Sequence, residues 1–204
     1  MPLFYPGETI PICTYATLPT ASSVAAGTRR RVSDLGISPG MVLVTDGTRW
    51  LPDGLQLIAR ITTDQTVTAS STNEVVVATV TIPANLLGVN GGLRFESWWT
   101  STNSANVKTV RARLGGGSGT QISSNAWTTS ATGFFSTRVF NRNSASSQVM
   151  GIAGNRSSDT LLTMNAQTTT AIDTTAALDL VLTGQKATGS ETLTLNAADI
   201  WVLA

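Results

Sequence analysis

Beyond residue 55 the chain consists of short apolar runs broken by turn residues, and the clearest runs alternate with a period of two. Along 93–100, Leu93, Phe95, Ser97 and Trp99 fall on one side, with Arg94, Glu96, Trp98 and Thr100 on the other. In 178–183, Leu178, Leu180 and Leu182 share a side. A helix would need apolar positions three and four apart. Alternation with one apolar side instead marks an antiparallel sheet that packs on one face and meets solvent on the other. Further strands are expected over 55–62, 74–82, 109–114, 134–141, 148–152 and 193–203, with weaker ones near Thr66 and Leu161. Pro83-Ala84-Asn85, Asn90-Gly91-Gly92, the glycine-rich 115–119, the polar 141–144 and Gly184 punctuate them. Eight to ten strands at this spacing predict an all-β fold, an antiparallel β-sandwich of jelly-roll-like form, over 55–204. The apolar stretch Ile200-Trp201-Val202-Leu203 reads as a closing strand with Trp201 in the core, and Trp127 is expected there too.

Ahead of the sandwich, Met41 to Thr45 is a β run that meets Asp46-Gly47 and resumes with Arg49-Trp50-Leu51. Asp-Gly between β-forming residues is a strong signal for a tight hairpin, because glycine takes positive φ without steric cost. With a further strand over 29–33, this makes a small β-hairpin module over 20–54, with Trp50 packing the hairpin. Residues 20–27 are the one expected helix, capped by Thr20 and ended by Gly27. At about two turns that helix could not stand alone. The module as a whole buries too little to be stable by itself, so it should lean on the main domain or on a partner chain. Residues 1–19 read as an extended arm, since Pro2, Pro6, Pro11 and Pro19 disfavour helix. Phe4, Tyr5, Ile10, Ile12 and Tyr15 give the arm apolar handholds, which predicts that it anchors the protein by docking on another surface.

Composition narrows the possibilities. The chain has 204 residues, suited to one sizeable domain and an appendage. Charged residues make up 12%, about half the usual share of roughly 25%. The surface is therefore expected to be Thr, Ser, Asn and Gly, much of it covered by neighbours. There is no histidine, which removes Ser-His-Asp and Cys-His nucleophiles and every histidine metal site. Cys13 is the single cysteine, so no intrachain disulfide forms, and it is expected as a small buried apolar group. No run of about 18 apolar residues exists, so no membrane partner is expected. Residues 115–119 lack the Gly-Lys-Ser/Thr ending of a phosphate loop and read as a hairpin loop. Glycoside hydrolysis needs only two carboxylates, so counting does not exclude it; but Glu74, Glu96, Asp159, Asp173, Asp179, Glu191 and Asp199 are scattered, and of these only Glu96 sits beside aromatics, which disfavours a hydrolase. No catalytic residue, cofactor or metal site is expected, and the chain does not read as an enzyme.

One charge asymmetry stands out. Between residues 91 and 158 the only acid before Asp159 is Glu96, against Arg94, Lys108, Arg111, Arg113, Arg138, Arg142 and Arg156. This is either an anion-facing patch or a set of strand residues paired with acids from elsewhere in the chain. The second reading is preferred. A nucleic-acid partner would call for a denser basic stripe than a net charge of +1 allows. Trp98 is the most suggestive single side chain. Adjacent Trp98 and Trp99 must point to opposite sides of a strand. If Trp99 is core, Trp98 faces outward beside Arg94 and Glu96, where it is covered by another part of the chain or by a subunit interface or, as the second reading, serves as a glycan contact.

Two stretches carry a resemblance. ATLPTASSVAAGTRRRVSDLG (16–36) followed by MVLVTDGTRWLP (41–52) resembles a module near the start of tail fibres and related appendages in tailed bacteriophages. VTIPANLLGVNGGLRFESWWTSTNSANVKTVRARLGG (80–116) resembles a β-sandwich domain of phage fibre and head-decoration proteins. The resemblance implies a virion structural protein, usually a homotrimer, with an N-terminal anchor and a C-terminal knob. Its implied partners are other virion proteins, the major capsid protein or a tail component. This chain has no collagen-like repeats, heptads or β-helix repeats that would form a shaft. It is therefore expected as a compact capsid-decoration, cement or head-fibre protein. The alternative is a short tail-fibre adaptor or receptor-binding protein that recognises host surface glycan. The resemblance carries over no catalytic residues.

Overall fold

Fifteen strands and two single turns of 3₁₀-helix make up the secondary structure of the computed structural model, which describes residues 9–68, 72–151 and 167–203. Phe4, Tyr5, Arg156, Asp159 and the weak strand near Leu161 lie outside the described residues. A small four-stranded sheet holds β1 (Ile12–Cys13), β2 (Arg29–Val32), β3 (Met41–Thr45) and β4 (Trp50–Pro52) in that order. The sandwich follows with β5 (Gln56–Ile61), β6 (Gln65–Thr66), β7 (Val75–Ile82), β8 (Gly92–Ser101), β9 (Lys108–Leu114) and β10 (Thr120–Trp127). It is completed by β11 (Thr132–Asn141), β12 (Gln148–Gly151), β13 (Gln167–Thr170), β14 (Leu178–Lys186) and β15 (Leu193–Leu203).

The pairing is nested. β5 pairs with β15, β7 with β14, β8 with β11 and β9 with β10, all antiparallel. Successive pairs fall in alternate sheets, giving the order β5-β15-β8-β11 in one and β7-β14-β9-β10 in the other. That is the eight-strand jelly roll, so the expected sandwich is the observed one. β12 and β13 are an insertion that widens the first sheet beyond β11, and β6 prolongs the line of β5 along β15.

The alternation expected for 93–100 is observed. Leu93, Phe95, Ser97 and Trp99 are buried, while Arg94, Glu96, Trp98 and Thr100 lie on the other face. Trp201 departs from expectation: it lies half-buried on the outer face. The cause is a register shift between Leu195 and Ala197 against β8. Before it, Leu193 and Leu195 point inward; after it, Ala198, Ile200 and Val202 do. One extra residue reverses the phase of a pleat, and it turns Trp201 out. Trp127 is half-buried rather than core, tilted against Phe135 with ring centroids 5.3 Å apart.

Two strands of the sandwich were not visible in the sequence, and β1 was covered only by the expected extended arm. β10 buries Ser123 and Asn125 as well as Ile122, so its inner face does not look apolar; Asn125 and Thr137 both hydrogen-bond to Ser123 Oγ, at 3.3 and 3.1 Å. β13 reads Gln-Thr-Thr-Thr and has no apolar period at all. The helix expected over 20–27 is one 3₁₀ turn, Ala21–Ser23. Thr20 makes no side-chain cap, and Ser23 Oγ hydrogen-bonds back to Thr20 O at 2.6 Å, the local competition that keeps serine out of short helices. The Asp46-Gly47 turn closes tightly: Asp46 N–H donates to Arg49 O at 3.2 Å, which leaves Gly47 and Thr48 as the two central residues. Thr45 pairs with Trp50, Gly47 has φ of 92°, and Asp46 Oδ1 accepts from the N–H groups of Thr48 and Arg49. Trp50 is half-buried against the apolar cluster and ties the hairpin to the preceding arm, donating Nε1–H to Pro19 O at 2.7 Å.

The module leans on the sandwich. Val32, Leu35, Met41 and Leu43 belong to the same apolar cluster as Leu93, Phe95 and Trp99. Val42 N–H donates to Gln56 Oε1 at 2.7 Å, and Gln56 Nε2 returns a bond to Val42 O. Residues 11–19 of the expected arm also belong to the molecule itself. β1 pairs in parallel with β2, and Tyr15 donates Oη–H to Ala84 O at 3.1 Å. Cys13 is only half-buried on β1; burial pushes its thiol pKa up.

A shared core means that the module and the sandwich unfold together. Leu43 is fully buried, so Leu43→Ala should lower stability by about 2–5 kcal/mol. Urea denaturation followed by tryptophan fluorescence and circular dichroism should still show one coincident transition. Two separated transitions would mean that the cores are independent.

Candidate functional site

The outer face of the larger sheet gathers the side chains singled out by sequence. The register sets them in rows across the strands. Arg138, Arg94, Trp201 and Leu57 form one row, because Arg138 is opposite Arg94, Arg94 opposite Trp201, and Trp201 opposite Leu57. The next row holds Ser136, Glu96, Asp199 and Arg60, and the one beyond it Phe134, Trp98 and Ala197. A last row is Thr132, Thr100, Thr194 and Thr66.

Each row has its own chemistry. Trp98 is 38% exposed and lies against Phe134 with centroids 5.0 Å apart, a tilted pair. In the charged row, Arg60 holds Asp199 through two bonds of 2.6 and 2.8 Å. Glu96 Oε1 accepts from Arg94 Nη2 and, at 3.4 Å, from Ser136 Oγ. The Arg94 guanidinium stacks over Trp201 at 5.0 Å from the ring centre. Its Nε–H is buried without an acceptor among the described residues. At the end of this face Arg94, Arg138, Phe140, Leu203, Leu55 and Gly54 line a shallow concavity of about 270 Å³. Phe140 lies across Gly92; a Cβ there would meet the ring at 2.7 Å, so only glycine leaves the ring its place.

Trp98, Arg94 and Glu96 thus share one surface. Ile10, Ile12 and Tyr15 are elsewhere: Ile12 lies on β1 of the small sheet, 70% exposed, Ile10 just before it, half-buried, and Tyr15 in the 3₁₀ turn that follows. Phe4 and Tyr5 of the same anchoring set lie outside the described residues. Most of the basic asymmetry is resolved by pairing. Glu74 bridges Arg113, at 2.8 Å, and Arg111, at 3.4 Å, across the outer face of the smaller sheet. The Arg113 hydrogen bond, with help from Thr183 and Arg111, holds the Glu74 carboxyl down to about 2. Arg138 and Arg142 are exposed and make no ion pair among the described residues.

One cluster escaped the sequence reading. Lys108 and Lys186, cross-strand partners on β9 and β14, are 0% and 1% exposed. Lys108 Nζ donates to Ser104 Oγ at 2.7 Å and Asn106 O at 2.9 Å, and sits 3.7 Å from Glu191. Lys186 Nζ donates to Thr68 O at 3.1 Å and Glu191 O at 2.8 Å. The Glu191 carboxyl is held below its ordinary range by hydrogen bonds from Ser104 and Asn106 and by the charge of Lys108. The cluster ties four loops together at one end of the sandwich and offers no accessible nucleophile. Strand phase was the missed signal: Lys108, Val110, Ala112 and Leu114 share a face, as do Leu180, Leu182, Gly184 and Lys186.

No protein-family model matches the chain, and no curated protein matches it either. Among solved structures it is similar to that of the infectious bursal disease virus Gx strain, at 12% identity and a TM-score of 0.38, over 92% of this chain and 40% of that one. For the Gt strain of the same virus the values are 14%, 0.37, 92% and 42%. For the VP2 subviral particle of that virus they are 13%, 0.35, 92% and 41%. The chain thus spans about 40% of the length of these structures.

Glu74 supplies a test in acid. Its carboxyl sits at about 2 in the fold, against an ordinary value near 4.3 when unfolded. A depressed carboxylate stabilises fully above its unfolded value and loses that contribution as pH falls toward the folded one. Glu74→Gln should therefore be less stable at pH 7 by roughly 1–3 kcal/mol, allowing for solvent screening. The gap to wild type should close between pH 5 and pH 2. Denaturant titrations at pH 7, 4 and 2 check this; a constant gap would remove the ion pair as its cause.

Proposed function

We propose that this chain is a structural protein of a tailed-bacteriophage virion, a compact capsid-decoration or head-fibre knob that assembles as a homotrimer and is anchored through its N-terminal arm. The segments 16–36, 41–52 and 80–116 support the phage reading by resemblance, and the jelly roll is an architecture that suits a knob. The observation that carries the anchoring role is the free edge of β1. This two-residue strand closes the small sheet, pairs only with β2 among the described residues, and carries Ile12 at 70% exposure. An unpaired edge beside exposed apolar side chains is what strand addition to a neighbouring subunit uses. Main-chain bonds give affinity there and alternate side chains fill pockets. The low share of charge fits a surface covered in an assembly. A short tail-fibre adaptor would use the same anchor.

Deleting residues 2–9 removes the outer arm and spares β1, which pairs with β2. This deletion and Ile12→Lys should each cut incorporation into particles at least tenfold, with an unchanged circular-dichroism melt. Wild-type occupancy in both would remove the arm and its edge from the assembly. The purified chain should sediment at three times its monomer mass of 21.3 kDa. A monomer at tens of micromolar would overturn the trimer.

A further inference from the structure

The concavity at the end of the larger sheet holds an electrostatic imbalance. Arg138 and Arg94 are directly opposite on neighbouring strands, an arrangement of like charges that weakens a sheet unless something compensates it. Among the described residues Glu96 is the one carboxylate bonded to the pair, through Arg94. Asp199 in the same row is taken by Arg60. Among the described residues two guanidiniums thus face one carboxylate, and Arg138, exposed at the rim, makes no ion pair there. Apolar walls from Phe140, Leu203 and Leu55, the last 52% exposed, flank these cations.

We propose that this concavity binds the carboxylate-bearing sugar of an acidic polysaccharide, with Arg138 as the principal anion contact and Trp98 as a stacking platform for a sugar further along the chain. A planar guanidinium recognises a carboxylate through two parallel bonds, which a diffuse basic surface does not. About 270 Å³ is at or below the small end of ligand pockets, room for one ring and not for a folded partner. Trp98 lies four residues from Arg94 on β8, about 13 Å along a strand, roughly the span of a short oligosaccharide. Between them the row of Ser136, Glu96 and Asp199 offers hydroxyl and carboxylate oxygens to sugar hydroxyls. A peptide is disfavoured on this face. β8 is hydrogen-bonded on both sides, by β11 and β15, so no free strand edge remains to receive a main chain. The inference does not depend on the assembly role: it is tested on the isolated chain, where incorporation plays no part.

The experiment is calorimetric titration of the full-length chain with oligogalacturonate and α2,8-linked oligosialate, with dextran and oligoglutamate as controls. Binding to at least one acidic saccharide and not to dextran is expected. Arg138→Ala, at an exposed position, should weaken it at least tenfold, and Arg138→Lys less. Trp98→Ala should weaken oligomers of three or more sugars and leave monosaccharides unaffected. Four results would each overturn the assignment: no heat with either saccharide at millimolar concentration, unchanged affinity in Arg138→Ala, an equal loss in Arg142→Ala, or equal binding of oligoglutamate.

Discussion

A pleated strand offers its side chains two directions, and the central pair β8–β15 uses both. Inward, Leu93, Phe95, Trp99, Leu195, Ile200 and Val202 build the core; outward, Arg94, Glu96, Trp98, Asp199 and Trp201 build the surface with the most chemistry. The two sets are locked together because any slip of one residue would exchange them. The shift between Leu195 and Ala197 is therefore structural in a strong sense. It keeps Ile200 and Val202 in the core, and as a result Trp201 lies beneath Arg94. Core and surface are two readings of one register.

That dependence explains what the sequence made legible. The strands over 93–100 and 178–183 were plain because their inner positions, Ser97 apart, are large and apolar. The outward Trp98 followed from its neighbour Trp99, since adjacent strand residues cannot share a face. β10 stayed hidden because Ser123 and Asn125 fill inner positions that a reader expects to be apolar, and they are tolerated only because they hydrogen-bond there. Trp201 was misplaced because a bulge leaves no mark in composition. The opposition of Arg94 and Arg138 lies between residues 44 positions apart in the chain. Only tertiary pairing creates it, and no local pattern could announce it.

The buried lysines teach a related lesson. Lysine at a strand position is usually read as surface, yet Lys108 and Lys186 stand in phase with Val110 and Leu182 and are buried with them. Burial of an ammonium group is tolerable only when oxygen atoms replace its water. Here the carbonyls of Thr68, Asn106 and Glu191 do so. The glycine-rich loop 115–119, by contrast, is what its sequence suggested, a connection between β9 and β10 that pairs Leu114 with Thr120. Polar residues thus divide into those that end elements and those that fasten them, and burial separates the two.

The nesting of the strands also governs how the chain reaches its final state. β15 is the last of the jelly-roll strands in chain order, yet it sits between β5 and β8, inside the sheet. Until it is in place, β5 and β8 each present an unsatisfied edge, separated by the gap that β15 will fill. A growing polypeptide therefore cannot complete the barrier between core and water in stages. Closure waits on contacts of high sequence separation, which makes folding slow and leaves the nascent molecule exposed to wrong partners at those two edges.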